Sequence, residues 1–255
     1  MYNTKVFDLS QMYLSNRSAS GELTGVNLAS DSLHLLNPQS YAVITTSPAQ
    51  VEQFYYVKNQ EAFARVSKMA GFSNDKGFVV LLNTEKQVVD ELVYTEKMHN
   101  SLLGNKQGVS LERISPQRPT NEAANWQSAA QSAGFATPTY RNSQLLDLEP
   151  TSGTFSLSPE TFSPDGDGYN DYLTISYSLP EPGNYANIRI FNASGVEVCR
   201  LTNNATLGTE GSFRWDGQNS RNQQVPIGIY VVHIEYYGSD GKVNTEKLVC
   251  VVARK

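Results

Sequence analysis

Short apolar runs rich in β-branched residues recur along the chain, separated by clusters of Ser, Asn, Gly and Pro. In the first half Tyr41–Thr46 (YAVITT), Gly77–Asn83 (GFVVLLN), Gln87–Tyr94 (QVVDELVY) and Ser110–Ile114 (SLERI) have the length and composition of strands. The second and third of these are close enough to form a hairpin. Ala49–Ala70 spaces Val51, Phe54, Tyr55, Phe63, Val66 and Met69 in a way that fits a short helix or irregular packing. Thr120–Ala133, with Trp126 in a polar, Ala-rich stretch, reads as a capped turn or short helix. The second half is more regular. Tyr172–Leu179, Asn187–Phe191, Val196–Leu201, Ser212–Trp215, Gly228–Tyr237 and Lys247–Val252 are six strand candidates separated by turn residues such as Pro182-Gly183, Asn192–Gly195 and Asp240-Gly241. Ile188 and Ile190 alternate with Arg189, as in a strand with one dry and one wet face. No segment offers the long amphipathic helices of a parallel α/β sheet.

These patterns predict an all-β protein: two immunoglobulin-like antiparallel β-sandwiches in tandem. The apolar periodicity lapses between Asn142 and Thr154, where Pro150, Ser152 and Gly153 interrupt Leu145, Leu146 and Leu148. The expected organisation is a domain over 1–144, a linker over 145–155 and a second domain over 156–255. A length of 255 residues suits two such domains, and 39% hydrophobic with 18% charged residues suits a folded, loop-rich chain. Net charge is −5 and no basic stripe exists to neutralise phosphates, so no nucleic-acid partner is expected. No run approaches the apolar length of a membrane span. No charged-then-apolar signal stands at the N-terminus. Met1-Tyr2-Asn3 runs straight into strand-like sequence, as in a segment excised from a longer protein.

Candidate chemistry is concentrated in Ser163–Asp171, SPDGDGYND. Asp165, Asp167 and Asp171 fall at relative positions 1, 3 and 7, so carboxylates at alternate positions can converge on a hard cation that takes six to eight oxygens. Gly166 and Gly168 permit the tight curl. The Tyr169 carbonyl and the Asn170 side chain complete the candidate ligand set, and the expected cofactor is a structural calcium ion. The segment is not an EF-hand, since the glycine is displaced and no position-12 glutamate or flanking helices follow. The competing reading is an Asx-rich turn whose carboxylates cap amides without metal. Elsewhere the signals are weak. His34, His99 and His233 have no metal-ligand spacing, and Glu22, Asp31, Glu52 and Glu61 form no recognisable acid–base pair. Nucleophile elbows and phosphate-binding loops are absent. Cys199 and Cys250 are either two buried thiols or a disulfide between two strands. Of the adjacent Tyr236 and Tyr237, one is expected on an exposed face, where it could serve a glycan platform.

Two family resemblances add to this. Val6–Leu14 (VFDLSQMYL), GVSLERISP, NW-x-SAA and GFATPTYRNSQ resemble the lamin-tail domain found in exported proteins of the Bacteroidetes type, over roughly residues 2–144. The family carries one more strand ahead of Tyr2-Asn3, which implies an open edge here. FSPDGDGYND (Phe162–Asp171), NIRIFNASGVEVCRL, FRWDG and VPIGIYVVHIE resemble the FlgD-type immunoglobulin-like domain that ends many exported proteins of these bacteria. Together the resemblances imply a non-catalytic structural or interaction region of an exported protein at the outer-membrane surface or outside the cell. Adhesion or spacing would be the role of the first domain, and secretion or attachment that of the second. The implied partners are a protein or a cell-surface polymer. The alternative is a glycan- or polymer-binding accessory module of a larger secreted enzyme.

Overall fold

A computed structural model describes residues 5–146, 154–238 and 240–254. The described residues form two compact units, one of residues 5–128 and 134–142, the other of residues 129–133, 143–146, 154–238 and 240–254. Most of the expected linker, residues 147–153, lies outside the described residues, as do the first four positions. The chain is all-β, with one α-helix among the described residues.

The first unit holds β1 (Phe7–Asp8), β2 (Tyr13–Arg17), β3 (Leu23–Leu28), β4 (Leu35–Leu36), β5 (Val43–Thr45), α1 (Pro48–Phe54), β6 (Phe63–Arg65), β7 (Lys76–Leu82), β8 (Val88–Thr95), β9 (Leu111–Arg113) and β10 (Trp126–Ser128). Its main sheet runs β3-β2-β7-β8, and β1 with β4, β5 with β6 and β9 with β10 form two-stranded ribbons. The β7–β8 hairpin forms as expected. Asn83 closes it, taking the amides of Glu85 and Gln87 on Oδ1 at 3.0 and 2.9 Å. Val80, Leu82 and Leu14 face inward from this sheet. Ala49–Ala70 resolves into α1, with Pro48 in its first turn where a missing N–H costs nothing, and the three-residue strand β6. Within Thr120–Ala133 two single 3-10 turns, Ala123–Asn125 and Gln131–Ala133, flank Trp126–Ser128, which pairs with β9.

The second unit holds β11 (Thr154–Ser158), β12 (Thr161–Phe162), β13 (Leu173–Ser178), β14 (Tyr185–Asn192), β15 (Glu197–Thr206), β16 (Glu210–Trp215), β17 (Gly228–Tyr237) and β18 (Val243–Val252). They make a three-stranded sheet, β11-β13-β16, and a five-stranded sheet, β12-β18-β17-β14-β15. Alternation decides which residues are inside. Leu173, Ile175 and Tyr177 of β13, Ile188 and Ile190 of β14, and Tyr230, Val232 and Ile234 of β17 share one core with Trp215 and Phe162. Among the described residues pairing is antiparallel with two exceptions, where the expectation is corrected: β12 runs parallel to β18, and β5 parallel to β6. In both cases the short strand arrives after a crossover rather than a hairpin, which frees its direction.

Cys199 on β15 and Cys250 on β18 are free thiols. Two strands, β17 and β14, separate theirs in the sheet order, which puts them about 14 Å apart at ~4.8 Å per strand. That exceeds the reach of a disulfide.

Candidate functional site

The acidic loop leaves β12, whose backbone is fixed to the end of β18: Val251 donates to the Glu160 carbonyl and Ala253 to the Phe162 carbonyl, both at 2.8 Å. The Ser163 amide then donates to the Asn170 carbonyl at 2.9 Å and closes the loop at its neck. Inside the neck the carboxylates organise the amides. Asp171 accepts from Gly166 N–H (2.7 Å) on one oxygen and from Gly168 N–H (2.8 Å) on the other. Asp165 accepts from the Asp167 amide (3.2 Å) and the Ser163 hydroxyl (2.9 Å), and Asp167 accepts from the Tyr169 amide (2.8 Å). Gly166, Gly168 and Asn170 have φ of 79°, 86° and 55°, the left-handed turns that roll the side chains to one side.

This curl places one carboxylate oxygen from each of Asp165, Asp167 and Asp171 within 4.8 Å of one another. Asp165 and Asp167 are exposed and Asp171 is half-buried. Tyr169 sends its ring to solvent. The Asn170 carbonyl is engaged at the neck, and its left-handed backbone makes the last turn of the loop. The three aspartates cap the amides of their own loop, and their carboxylate oxygens lie close enough together that they could hold a metal ion.

Behind the loop the remaining motif stretches converge. Phe162 packs edge-on against Trp215, and Trp215 against Tyr230, each with ring centroids 5.4 Å apart. The Trp215 indole N–H donates to the Gln218 carbonyl at 2.8 Å, and Asp216 accepts the Gln218 amide at 3.0 Å. Gly217 follows with φ 71°, and a β-carbon there would sit 2.7 Å from Pro164 Cγ. The Tyr230 hydroxyl donates to the Pro226 carbonyl at 2.7 Å. FSPDG, WDG and PIGIY, distant in sequence, thus meet as turns around the buried rings of Phe162, Trp215 and Tyr230. Tyr172, next after the loop, lies under the Arg214 guanidinium at 4.3 Å.

The other candidates are dispersed. His99 Nδ1 lies 3.0 Å from the Ser128 hydroxyl, and burial lowers its pKa. His233 packs its ring edge-on to Phe191. Neither adjacent tyrosine is exposed as expected. Tyr236 packs 5.2 Å from Phe155 and Tyr237 stacks on Tyr185 at 5.8 Å, so both are half-buried. The sequence reading passed over a cavity of about 300 Å³ in the first unit, walled by Phe72, Tyr94 and Trp126 with Leu92, Glu96 and His99. Its aromatic residues come from separate segments, and no local spacing signals it.

Residues 156–251 match the CHU_C Type IX secretion signal domain. The match falls on the second unit and includes the loop and the turn cluster. It marks the chain for export to the cell surface or the extracellular space, and the matched family is a secretion signal rather than a catalytic family. No curated protein matches the sequence. Among solved structures, similarity is found to CopC from Methylosinus trichosporium OB3b, with 18% identity over 40% of this chain and 95% of that one, and a TM-score of 0.28. PorZ, a surface component of the type IX secretion system of Porphyromonas gingivalis, is 15% identical over 71% of this chain and 22% of its own, with a TM-score of 0.31. Dimeric latent PorU of the same organism is 9% identical over 96% of this chain and 16% of its own, also at 0.31. Scores this low do not establish a shared fold. Among the described residues no helix is long and apolar enough to cross a membrane.

Proposed function

We propose that this chain is a non-catalytic structural and interaction region of an exported protein whose second unit directs its secretion or attachment. The match of residues 156–251 to a secretion signal domain carries this reading. The motif residues support it, because they are spent on turns packed around buried aromatic rings and on capping their own loop. The lamin-tail resemblance gives the first unit an adhesive or spacing role, and the FlgD-type resemblance agrees with a terminal sandwich in the second. The test compares the natural gene product with a version lacking residues 154–255 in a bacterium that has a type IX secretion system. The complete protein should reach the surface or medium and the shortened one should stay inside the cell. Equal export of both would reject the reading.

The acidic loop is read as a structural calcium staple. Three carboxylates brought within 4.8 Å repel one another, and a divalent cation removes that cost. Asp165, Asp167 and Asp171 would hold it, with oxygens of Tyr169 and Asn170. Since only the folded loop presents these groups together, binding would stabilise by mass action, about 2.7 kcal/mol when free calcium is about 100 times Kd. A melting temperature that is the same in calcium chloride and EDTA would dispose of the staple.

A second reading is favoured by the cavity in the first unit. Aromatic walls offer stacking faces for a neutral sugar ring, and Glu96 is the one carboxylate in its lining. An accessory glycan-binding module would be retained on a neutral polysaccharide, and Trp126→Ala would abolish retention. A blank glycan array would remove this reading.

A further inference from the structure

We infer that the second unit carries a peptide-binding rim, occupied by two upstream segments of the same chain, Ala129–Ala133 and Ser143–Leu145, and that Gln144 is its anchor. Both segments precede the span that matches the secretion signal domain, yet both belong to the second compact unit. The rim is built from the β13–β14 connection at Gly183-Asn184 and the β15–β16 connection at Leu207–Thr209. These connections are tied together, Leu207 N–H donating to the Asn184 carbonyl at 2.7 Å.

Gln144 is fully buried on this rim. Its side-chain amide donates to the Leu207 carbonyl at 3.0 Å, and its side-chain oxygen accepts from Gly183 N–H at 3.0 Å. One side chain therefore satisfies a donor and an acceptor of two different loops. Its neighbours continue the pairing: Thr209 N–H donates to the Ser143 carbonyl at 2.9 Å, and the Thr209 hydroxyl to the Leu145 carbonyl at 3.0 Å. The other segment binds alongside. The Thr206 hydroxyl donates to the Ala129 carbonyl and accepts the Gln131 amide, and Ser132 Oγ meets the Tyr177 hydroxyl at 2.6 Å. The Ala130 amide donates to Ser143 Oγ at 2.9 Å and joins the two segments.

The glycine at 208 is shaped to this fit. Its φ is not in the left-handed region, so the backbone alone does not call for glycine; a β-carbon there would collide with the Ser143 carbonyl. The rim is thus a recognition surface for a turn segment of this chain that presents a glutamine side chain. On the secretion reading above, an export tag taken from this chain has to begin at Ala129 rather than at the edge of the matched span.

The test is amide hydrogen exchange on the complete chain. Gln144→Leu keeps the volume and deletes both side-chain bonds. The Gly183 amide should then exchange about tenfold faster or more, while the Val232 and Ile234 amides of the β17–β14–β18 centre keep their protection. Gly208→Ala, which wedges the rim from the opposite side, should produce the same local opening. Unchanged exchange at Gly183 overturns the proposal. An equal rise at Gly183, Val232 and Ile234 also overturns it, because Gln144 would then act on overall stability instead of on the rim. The exchange pattern does not depend on whether the unit directs export, so a failed secretion test leaves this result standing.

Discussion

Asp171 uses both carboxylate oxygens to hold the acidic loop, one on the Gly166 amide and one on the Gly168 amide. Asp171→Ala should cost roughly 1–2 kcal/mol in urea denaturation of the complete chain in EDTA, since two charge-assisted bonds are lost at a half-buried site. On the calcium reading the loss is larger in calcium than in EDTA, and the difference between the two titrations measures the staple. Gly217→Ala tests the turn cluster. The new β-carbon meets Pro164 in a left-handed backbone position, so a destabilisation of about 1–3 kcal/mol is expected by the same measurement. Legibility at this scale follows sequence distance. The aspartates stood out because their partners lie within five residues. Gln144 did not, because its partners lie 39 and 63 residues away, and the sequence places it at the end of the first domain.

At the scale of elements, strands that bury one face across many residues were visible beforehand. The alternation in β13, β14 and β17 is strong enough to define them alone. β6 and β10, three residues each, carry too few positions to show a period, and they exist because β5 and β9 offer them hydrogen bonds. Sheet order settles the cysteines in a way sequence could not. Intact mass should be the same with and without reductant. Burial pushes the Cys250 thiol up to about 12 and raises that of Cys199 as well. Both should therefore resist a thiol-directed reagent at neutral pH and react once denaturant opens the sandwich; fast labelling of the native chain would contradict this arrangement.

For the molecule as a whole, stability should fall as the solution is acidified below about pH 6.5. Burial is the main cause that lowers the pKa of His99 and of His233 beneath the ordinary 6.5. Lys106 adds to it and Glu96 opposes it at His99; Arg189 and Lys247 add to it and Glu235 opposes it at His233. The unfolded chain thus takes up protons first, so the stability from these groups is complete above pH 6.5 and is lost below it. Melting temperatures across pH 7 to 5 should decline, and His99→Gln should flatten part of the slope. The all-β class was legible from periodicity. The placement of Ala129–Ala133 in the second unit was not, since its partners at Thr206 and Tyr177 lie far along the chain.

The parallel pairing of β12 with the end of β18 also bears on timing. At the root of the acidic loop the Glu160 and Phe162 carbonyls accept from Val251 and Ala253. A ribosome that has made everything up to β17 carries a chain whose loop root lacks these two bonds and whose central sheet still lacks β18. The complete native sheet of this unit therefore requires β18, and until Val252 has been made the unit stays short of its final pairing. Pulse labelling with proteolysis of stalled chains would show protection appearing only after that residue has left the exit tunnel.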